Sequence, residues 1–429
     1  MLTKKNDAKF FKEIMSILIK DVLLNNKSVD IFIAENRIKK IGEHLNAQPD
    51  EEIEGKGKAV LPGLINMHTH SAMTLFRGYA DDMPLERWLE GKIWPVEAKL
   101  TPHDAYWGMK LACLEMLKTG TTTFVDNYWF VQAGAKAVEE MGLRAVLAPP
   151  FFDLFNAQKR KEAIRKTEEV FQESRGFNPR ITFSLGPHSI YSVSEEGLCW
   201  LRDFASAHHL FIQIHLSETK KEVEDCQKKY NKRPAEFLDS LNFLDKDVLA
   251  AHSVWLSDNE IDILSKKKVS VVYNPSSNMK LSSGIFNYAA LKKVGINITL
   301  GTDGCASNNN LDMFEEMKIA ALVQKLDNPE ILPAAECLEM TTQNSARFLE
   351  LDIGVVKEGK LADLILIDLE RPSFVPGHNF ISDIVYSAQG SCVSDLICDG
   401  KVLMREGKVE GEEEILAKSA EVARDLVRR

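Results

Sequence analysis

The chain of 429 residues has an ordinary composition for a soluble globular protein, with 45% hydrophobic and 27% charged residues. Its length fits two to three domains, or one large barrel with a smaller companion domain. The 63 acidic residues exceed the 53 basic ones, which leaves a formal net charge of −10. Because nucleic-acid-binding surfaces carry a basic excess, we expect no nucleic-acid partner.

The cysteines and the apolar runs bear on the cellular compartment. Seven cysteines occur, an odd number without a C-x-x-C pair, which disfavours a disulfide framework and a thiolate zinc site. No apolar run approaches the roughly 18 residues of a membrane span, and the N-terminus lacks the apolar core of a secretion signal. We therefore expect a cytoplasmic protein with no membrane partner. We interpret residues 1–14 as a short extension or as residues upstream of the native start.

Residues 1–60 are predicted to form the N-terminal part of a small β-sandwich domain. The apolar runs that indicate its strands are residues 16–20, 30–34 and 37–41. Asn25-Asn26 and Glu35-Asn36 separate these runs, and both pairs are typical of tight turns.

Short apolar runs alternate with helix-periodic segments over residues 61–355. This alternation is typical of parallel strands joined by helices, and eight repeats predict a (β/α)8 barrel of the TIM type. The predicted strands are residues 61–67, 121–125, 145–148, 181–185, 210–214, 248–251, 269–273 and 296–300. The predicted helices include 104–118, 130–141, 158–173, 195–207, 257–266 and 311–323. We expect Asp104 and Ser194 to cap two of them.

Short strands return in residues 356–410, which are predicted to complete the β-sandwich domain. Its strands are expected at residues 362–367, 394–398 and 401–403. Asp399-Gly400 is a strong two-residue hairpin turn between the last two. Residues 411–429 are predicted to form a charged helix. The expected fold class is therefore α/β, with a (β/α)8 barrel beside a small β-sandwich domain built from both chain ends.

Five of the ten histidines follow or end predicted barrel strands, on the face of a barrel where active sites lie. They are His68, His70, His188, His215 and His252. His68 and His70 are two residues apart on one strand, so both side chains point to the same face. Asp303 follows the last predicted strand, and three imidazoles with one carboxylate are a typical donor set for zinc. The pattern therefore predicts a metal centre built from separate strand ends.

The motifs around these residues are distinctive. They are Leu-Pro-Gly-Leu-Ile-Asn-Met-His-Thr-His (61–70), Gly-Pro-His-Ser (186–189), Ile-His-Leu-Ser-Glu (214–218), Ala-His (251–252) and Leu-Gly-Thr-Asp-Gly (300–304). Together they resemble the amidohydrolase superfamily. Asn-Pro-Ser-Ser-Asn-Met-Lys-Leu (274–281) and Gly-Cys-Ala-Ser-Asn-Asn (304–309) are similar to its branch of 5′-methylthioadenosine/S-adenosylhomocysteine and 5′-deoxyadenosine deaminases. The resemblance covers about residues 16–410. It implies a metal-dependent hydrolase barrel that deaminates an adenosine-type nucleoside to the inosine analogue and ammonia.

The resemblance also implies a ligand set for one divalent metal ion per chain, zinc or alternatively Fe²⁺ or Mn²⁺. The implied ligands are His68, His70, His215 and Asp303. Asp303 is then also the base that activates the attacking water. Two-metal members of the superfamily bridge their metals with a modified lysine from the fourth strand. Residues 181–189 contain no lysine, which favours a single ion.

For the substrate, the resemblance assigns Glu218 as the group that transfers a proton to the purine ring nitrogen, in general acid–base catalysis. Glu97 matches a glutamate that holds the ribose hydroxyls, and His188 matches a histidine that contacts the nucleoside. His252 orients the water or the substrate, and Asp303 also contacts the substrate. We expect a small-molecule nucleoside as the partner, and a homo-oligomer, either a dimer or a tetramer.

The sequence departs from the branch in a segment that bears on the substituent at the nucleoside 5′ position. Members that accept S-adenosylhomocysteine bind its carboxylate through an arginine shortly after a Gly-x-Arg-Ala-x-Leu stretch, which is present here at residues 142–147. The chain continues instead as Ala-Pro-Pro-Phe, and Phe151, Phe152 and Phe155 make the region apolar. The sequence therefore predicts a preference for uncharged 5′ groups: 5′-deoxyadenosine, methylthioadenosine or adenosine over S-adenosylhomocysteine.

Two alternatives remain open. One is another amidohydrolase of the same branch, such as a guanine deaminase or a triazine chlorohydrolase-like enzyme. The pairing of Glu97 with Glu218 favours a ribose-bearing aminopurine over both. The other is a non-catalytic structural member that kept the barrel and lost the metal, against which the intact predicted ligand set argues.

Overall fold

The computed structural model describes residues 16–429, so the extension predicted for residues 1–14 lies outside the described part of the chain. Five strands precede the barrel in this part. They are β1 (Ser16–Leu24), β2 (Lys27–Ala34), β3 (Arg37–Gly42), β4 (Glu51–Glu54) and β5 (Lys58–Pro62). The turns between the first three fall at the predicted pairs Asn25-Asn26 and Glu35-Asn36. Asn25, Asn26 and Glu35 have positive φ angles, as the tight hairpin turn requires.

The barrel strands follow in chain order, each ending near the same face. They are β6 (Leu64–Thr69), β7 (Thr121–Asn127), β8 (Arg144–Ala148), β9 (Pro150–Phe151), β10 (Ile181–Phe183), β11 (Gly186–Pro187), β12 (Ile212–Leu216), β13 (Val248–His252), β14 (Ser270–Tyr273) and β15 (Ile298–Leu300). β6, β7, β8 and β10 form one parallel sheet and β12 to β15 form another. β9 and β11 form a two-residue pair beyond β8 and β10.

Two contacts close these sheets into a ring. A parallel bridge between Leu185 and Ile212 joins the first sheet to the second. At the other junction the Asp303 N–H donates to the His68 carbonyl oxygen at 2.9 Å. Gly301 makes this approach possible, because a Cβ atom there would lie 2.7 Å from the His68 nitrogen. The predicted (β/α)8 barrel is confirmed.

Helices cover the outside of the ring. They are α1 (Leu85–Trp88), α2 (Trp94–Glu97), α3 (Pro102–Lys118), α4 (Val131–Met141), α5 (Ala157–Ser174), α6 (Glu195–His208), α7 (Lys220–Tyr230), α8 (Pro234–Ser240), α9 (Asp258–Lys267), α10 (Pro275–Lys280), α11 (Tyr288–Lys293), α12 (Met313–Val323), α13 (Ala334–Met340), α14 (Gln343–Leu349), α15 (Phe380–Tyr386) and α16 (Glu412–Arg428). Ser194 caps α6, as predicted. The cap predicted at Asp104 is wrong by three residues: Thr101 caps α3, and Asp104 completes the capping box from within the first turn.

The β-rich domain contains strands from both ends of the chain. β16 (Leu364–Asp368), β17 (Val393–Cys398) and β18 (Lys401–Met404) complete a continuous sheet in the order β18-β17-β16-β5-β1-β2-β3, with β4 beside β1. The structure thus joins the strands predicted as a small sandwich in one sheet. Arg144, at the first residue of β8, donates to Asp363 at 2.7 Å and links the base of the barrel to this domain.

The single strand predicted over residues 61–67 is divided between the two domains. Leu61 belongs to β5, which pairs with β16 in the β-rich domain, whereas β6 begins at Leu64 in the barrel. The division falls at Gly63, where a Cβ atom would lie 2.2 Å from the Thr122 hydroxyl oxygen. Both strands are buried, so the apolar pattern runs through the break without a polar interruption.

Two further observations concern the chain as a whole. Within residues 16–429, no helix combines the length and the hydrophobicity that crossing a lipid bilayer requires. All seven cysteines have free thiols, and all of them except Cys199 are buried.

Candidate metal centre and substrate cleft

Four side chains converge at the C-terminal end of the barrel. His68 lies on β6, His70 directly follows it, His215 lies on β12 and Asp303 follows β15. One ligand atom from each lies within 4.8 Å of those of the other three. Nε2 of His70 is 3.3 Å from Nε2 of His215 and 3.2 Å from Oδ1 of Asp303. The structure therefore brings together all four residues that the sequence predicts as metal ligands.

Main-chain carbonyl groups orient two of these histidines. Nδ1 of His70 lies 2.7 Å from the carbonyl oxygen of Asn127, and Nδ1 of His215 lies 2.7 Å from that of His188. A carbonyl oxygen only accepts, so each Nδ1 carries the proton and donates it. Each Nε2 then presents its lone pair to the centre, which is how metal-binding histidines are oriented in proteins.

His68 provides the clearest sign that this group suits an ion. The residue is 1% exposed, and neither of its ring nitrogens has a hydrogen-bond partner among the residues the structure describes. A buried polar atom without a partner is unfavourable unless a ligand satisfies it. Burial and the neighbouring His70 also hold the pKa of His68 well below its ordinary value, which keeps a lone pair free. Three imidazoles and one carboxylate fit a divalent metal ion.

Asp303 is held in an unusual backbone conformation and by two hydroxyl groups. Its φ angle is +62°, a left-handed value that costs a residue with a Cβ some energy and that recurs at functional sites. Oδ2 accepts hydrogen bonds from Ser277 Oγ at 2.6 Å and Ser307 Oγ at 2.9 Å, while Oδ1 faces the histidines. Burial favours the neutral acid, but the hydrogen bond and charge of His70 prevail and hold the pKa of Asp303 well below its usual range.

Glu218 and His252 face each other beside this centre. Oε2 of Glu218 lies 3.9 Å from Nε2 of His252, and Oε1 accepts a hydrogen bond from Ser283 Oγ at 3.0 Å. Nδ1 of His252 donates to Oδ1 of Asn278 at 2.8 Å, which turns Nε2 toward Glu218. Burial raises the pKa of Glu218, although the charge of His252 opposes the shift. A glutamic acid with a raised pKa holds a transferable proton closer to neutral pH, as general acid–base catalysis requires.

Several of these supporting groups were missed by the sequence reasoning. Ser277 and Asn278 lie on α10 within the motif 274–281, and Ser307 lies within the motif 304–309. The resemblance marks both segments but not the role of any side chain in them. Whether a serine hydroxyl faces the carboxylate depends on how its helix docks on the barrel, which spacing along the chain does not specify.

A cleft opens over the centre. It is lined by the predicted site residues except His68, together with a wall that follows β6. The cleft-lining residues of that wall are Met73, Leu85, Trp88, Leu89 and Trp94. Phe76, on the same segment, is fully buried and packs in the core below the cleft.

Glu97 and His188 are two of the residues predicted to bind the nucleoside, and both reach the cleft. Glu97 ends α2, and burial raises the pKa of its carboxyl group, although the polar groups of Tyr128 and Trp129 oppose the shift. The His188 ring stacks on Phe152 with 4.5 Å between ring centroids. Burial, reinforced by the charge of His70, lowers the pKa of His188 to about 3, so this ring is neutral at physiological pH.

The cleft wall that follows β8 is apolar, but only one of the three phenylalanines expected there lines it. Phe152 lines the cleft beside Pro150, and Trp129 stacks on Phe152 at 5.8 Å. Phe151 is instead buried in the core, and Phe155 is 43% exposed with Lys229 over its ring. Arg160 contacts Ser194 and lies outside the cleft lining. No lysine or arginine lines the cleft within the described residues 16–429.

Comparisons with known proteins agree with this geometry. The amidohydrolase family model matches residues 59–403. The chain is 48% identical to the 5′-deoxyadenosine deaminase of Methanoregula boonei, over 100% of this chain and 99% of that protein. It is 51% identical to the 5-methylthioadenosine/S-adenosylhomocysteine deaminase of Thermococcus sibiricus, over 91% and 94%. The crystal structure of an adenosine deaminase from Xanthomonas campestris with bound zinc superposes with a TM-score of 0.90 at 32% identity, covering 96% of this chain and 98% of that one.

Proposed function

The chain belongs to the amidohydrolase family, and from that premise we propose that it is a metal-dependent hydrolytic deaminase of adenosine-type nucleosides. One observation carries the proposal. A buried glutamic acid, Glu218, lies 3.9 Å from His252 and shares one cleft with a four-donor metal group and with Glu97. This arrangement supports a reaction in which an acid–base group, a metal ion and a carboxylate suited to ribose hydroxyls act on one small molecule.

We propose zinc as the ion, with one equivalent per chain. Three imidazoles and one carboxylate support zinc, while Fe²⁺ and Mn²⁺ use the same donor atoms and are the alternatives. A divalent ion held there would supply a hydroxide nucleophile at neutral pH. His68, His70 and His215 would hold it through ring nitrogens and Asp303 through Oδ1.

The roles of the protein groups follow from their charge and position. Asp303, ionised by its surroundings, accepts a proton from the attacking water. As the water oxygen bonds to the amine-bearing carbon, Glu218 donates its proton to the adjacent ring nitrogen, and the neutral intermediate forms. The carbon–nitrogen bond then breaks as the amino group takes up the proton held by Asp303 and leaves as ammonia. The hydroxyl proton of the intermediate passes to Glu218, which restores the acid and forms the carbonyl group of the inosine analogue. His252 presents Nε2 to the same region and orients the water or the substrate.

Glu97 and His188 would bind the nucleoside on the other side of the cleft. A carboxylate accepts hydrogen bonds from two vicinal hydroxyl groups, which supports ribose as the ligand of Glu97. The neutral His188 ring, backed by Phe152, offers a polar edge to the nucleoside without adding charge.

The cleft also supports a preference for uncharged 5′ groups. Its titratable side chains include the carboxyl groups of Glu97, Glu218 and Asp303, and no lysine or arginine lines it within residues 16–429. Binding a carboxylate without a cationic partner costs on the order of several kcal/mol of binding free energy. We therefore propose 5′-deoxyadenosine, methylthioadenosine and adenosine as better substrates than S-adenosylhomocysteine.

Ammonia release from a panel of purified compounds, with chloride release measured for the chlorotriazine, tests the proposed function. The panel contains these four nucleosides, 2′,3′-dideoxyadenosine, guanine and a chlorotriazine. Turnover of the adenosine compounds with release of ammonia is the expected result. Selective turnover of guanine or the chlorotriazine would replace the proposal with the corresponding amidohydrolase activity. A protein that binds no ion and turns over nothing would identify a non-catalytic member.

We further propose that the protein works in the cytoplasm as a homo-oligomer, either a dimer or a tetramer. The seven free thiols support a reducing compartment. Light scattering of the purified protein after size exclusion measures the assembly, and a monomeric mass at micromolar concentration would contradict this part of the proposal.

A further inference from the structure

A second buried glutamate, Glu222, lies behind the proposed acid–base residue. It is 5% exposed and occupies the third position of α7. Its two carboxyl oxygens accept hydrogen bonds from successive main-chain N–H groups. Oε1 accepts from Ser217 at 2.9 Å, and Oε2 accepts from Glu218 at 2.8 Å. We propose that Glu222 is a positioning residue that sets the place of the Glu218 side chain through the backbone of residues 217 and 218, an inference that rests on the proposed function.

The residues that donate these hydrogen bonds differ from those in an ordinary helix cap. In a capping box the third residue reaches back to the N–H of the N-cap residue itself. Glu260 does this on α9, accepting from the Ser257 N–H at 2.9 Å. Thr219 caps α7 with its hydroxyl group, yet Glu222 reaches past it to the two residues before the cap. The carboxylate therefore restrains the loop after β12 rather than only the end of the helix.

The restrained backbone is strained and central to the site. Ser217 has a φ angle of +49°, a left-handed conformation that a serine adopts only when neighbouring contacts hold it. The Ser217 carbonyl oxygen accepts from the N–H groups of Val254 at 3.1 Å and Trp255 at 2.9 Å. These two residues lie just after His252, the last residue of the next strand, β13. The Ser217 peptide thus links the loop that carries Glu218 to the loop that carries His252.

Hydrogen bonds to the main chain, and not an ion pair, hold the Glu222 side chain. No lysine, arginine or histidine forms a salt bridge with it in the described part of the chain, whereas Glu260 pairs with Arg233 at 2.5 Å. Main-chain N–H groups are the partners of both carboxyl oxygens, each of which keeps an acceptor lone pair although burial raises the pKa of Glu222 to about 8. Replacing one carboxyl oxygen by an amide –NH₂ therefore sets donor against donor at one of these two residues and displaces the loop.

The variant Glu222→Gln tests the inference by its effect on kcat, KM and metal content with 5′-deoxyadenosine. Displacement of a catalytic group by about 1 Å lowers turnover by roughly 10- to 100-fold, and that loss is expected in kcat. KM and the bound metal are expected to stay near the wild-type values, because neither Glu97 nor any predicted ligand contacts Glu222. Glu260→Gln is the matched control: it removes the buried capping carboxylate of helix α9 without touching the cleft, and its kcat is expected to match the wild type.

A double-variant cycle with Glu218→Gln separates positioning from general stability. If Glu222 acts through Glu218, then Glu222→Gln costs less than about twofold in the Glu218→Gln background, because there is no longer a transferable proton to misplace. An equal fold-loss in both backgrounds, or a kcat for Glu222→Gln equal to that of Glu260→Gln, would overturn the inference. Should Glu222→Gln fail to fold, Glu222→Asp keeps both acceptor oxygens on a shorter side chain, and the same cycle applies to it.

The activity of the wild-type protein in the same assay distinguishes a failure of the proposed function from a failure of the positioning role. A wild-type protein that releases no ammonia from any nucleoside overturns the proposed function, and the inference with it. A wild-type protein that is active, with no coupling between positions 218 and 222, overturns the positioning role alone.

Discussion

The backbone and the side chain of His188 serve two different parts of the site. Its carbonyl oxygen accepts the hydrogen bond from Nδ1 of His215 at 2.7 Å, whereas its ring lies in the cleft against Phe152. A side-chain substitution therefore separates substrate binding from metal binding at this residue.

For His188→Ala, we expect the metal content to stay at the wild-type level, because the carbonyl group that orients His215 is retained. KM for 5′-deoxyadenosine is expected to rise by about two- to tenfold, since the hydrogen bond that the ring offers to the nucleoside contributes about 0.5–1.5 kcal/mol. Elemental analysis and steady-state kinetics measure the two effects. Loss of the ion from this variant would show that the ring, and not the carbonyl group, supports His215.

The purified protein is expected to carry about one equivalent of zinc or a similar divalent ion per chain. His68→Ala and Asp303→Ala each remove one of the four donors and are expected to abolish turnover. His378→Ala, an exposed histidine away from the cleft, serves as the control and is expected to remain active. Two tightly held equivalents per chain in elemental analysis would contradict the single-ion assignment.

Glu218→Gln keeps the size of the side chain and its contact with Ser283 but removes the transferable proton. We expect kcat to fall by roughly 10² to 10⁴, the usual contribution of a positioned acid or base, with the metal retained. Stopped assays of ammonia release have the sensitivity for this range. Full activity in the variant would mean that Glu218 only shapes the cleft.

The ratio of kcat/KM for 5′-deoxyadenosine to that for S-adenosylhomocysteine measures the 5′ preference. We expect it to favour 5′-deoxyadenosine by about tenfold or more, because the amino-acid carboxylate would lack a cationic partner. Pro150→Arg places a guanidinium group on the cleft wall and is expected to narrow the ratio. A wild-type ratio that favours S-adenosylhomocysteine would require a cation from outside this cleft lining.

Glu316 gives a pH dependence of stability. The residue is fully buried, accepts hydrogen bonds from Asn308 and Ser276, and burial raises the pKa of its carboxyl group from 4.5 to about 8. The folded protein therefore keeps a proton that the unfolded chain releases at lower pH. The contribution of Glu316 to the free energy of unfolding decreases as the pH rises between these two values.

Glu316→Gln is expected to show a smaller decrease in melting temperature between about pH 5 and about pH 9 than the wild type, because the amide does not ionise. The exposed neighbour variant Glu315→Gln should keep the wild-type dependence. Thermal unfolding followed by circular dichroism measures both. An identical pH dependence in Glu316→Gln and the wild type would assign the effect to other buried groups, such as Asp126, whose pKa burial raises to about 6.

Much of the barrel follows from local patterns. Strands buried on both faces appear in the sequence as apolar runs, and apolar residues recur about every 3.6 positions in the helices. Alternating strands and helices of this kind fold almost always as a parallel sheet, either open or closed into a barrel. The break at Gly63 escaped this reasoning, because β5 and β6 are both buried and only their partner strands differ. The cap of α3 at Thr101 escaped it as well, since Thr101 and Asp104 bond reciprocally and either one suits a cap.

The four strand-end donors, His68, His70, His215 and Asp303, could be predicted from the motifs, since the ends of parallel strands in a barrel meet at one face. Which groups hold these donors and the acid depends on the folded chain. Ser277 reaches Asp303 because of how helix α10 docks against the barrel. The contacts of Ser307 with Asp303 and of Glu222 with the backbone of Glu218 are local, and they depend on the left-handed backbone at Asp303 and Ser217. Docking depends on packing between distant segments, and a hydrogen bond of about 3 Å depends on docking to within a fraction of that distance. Spacing along a chain carries no such information.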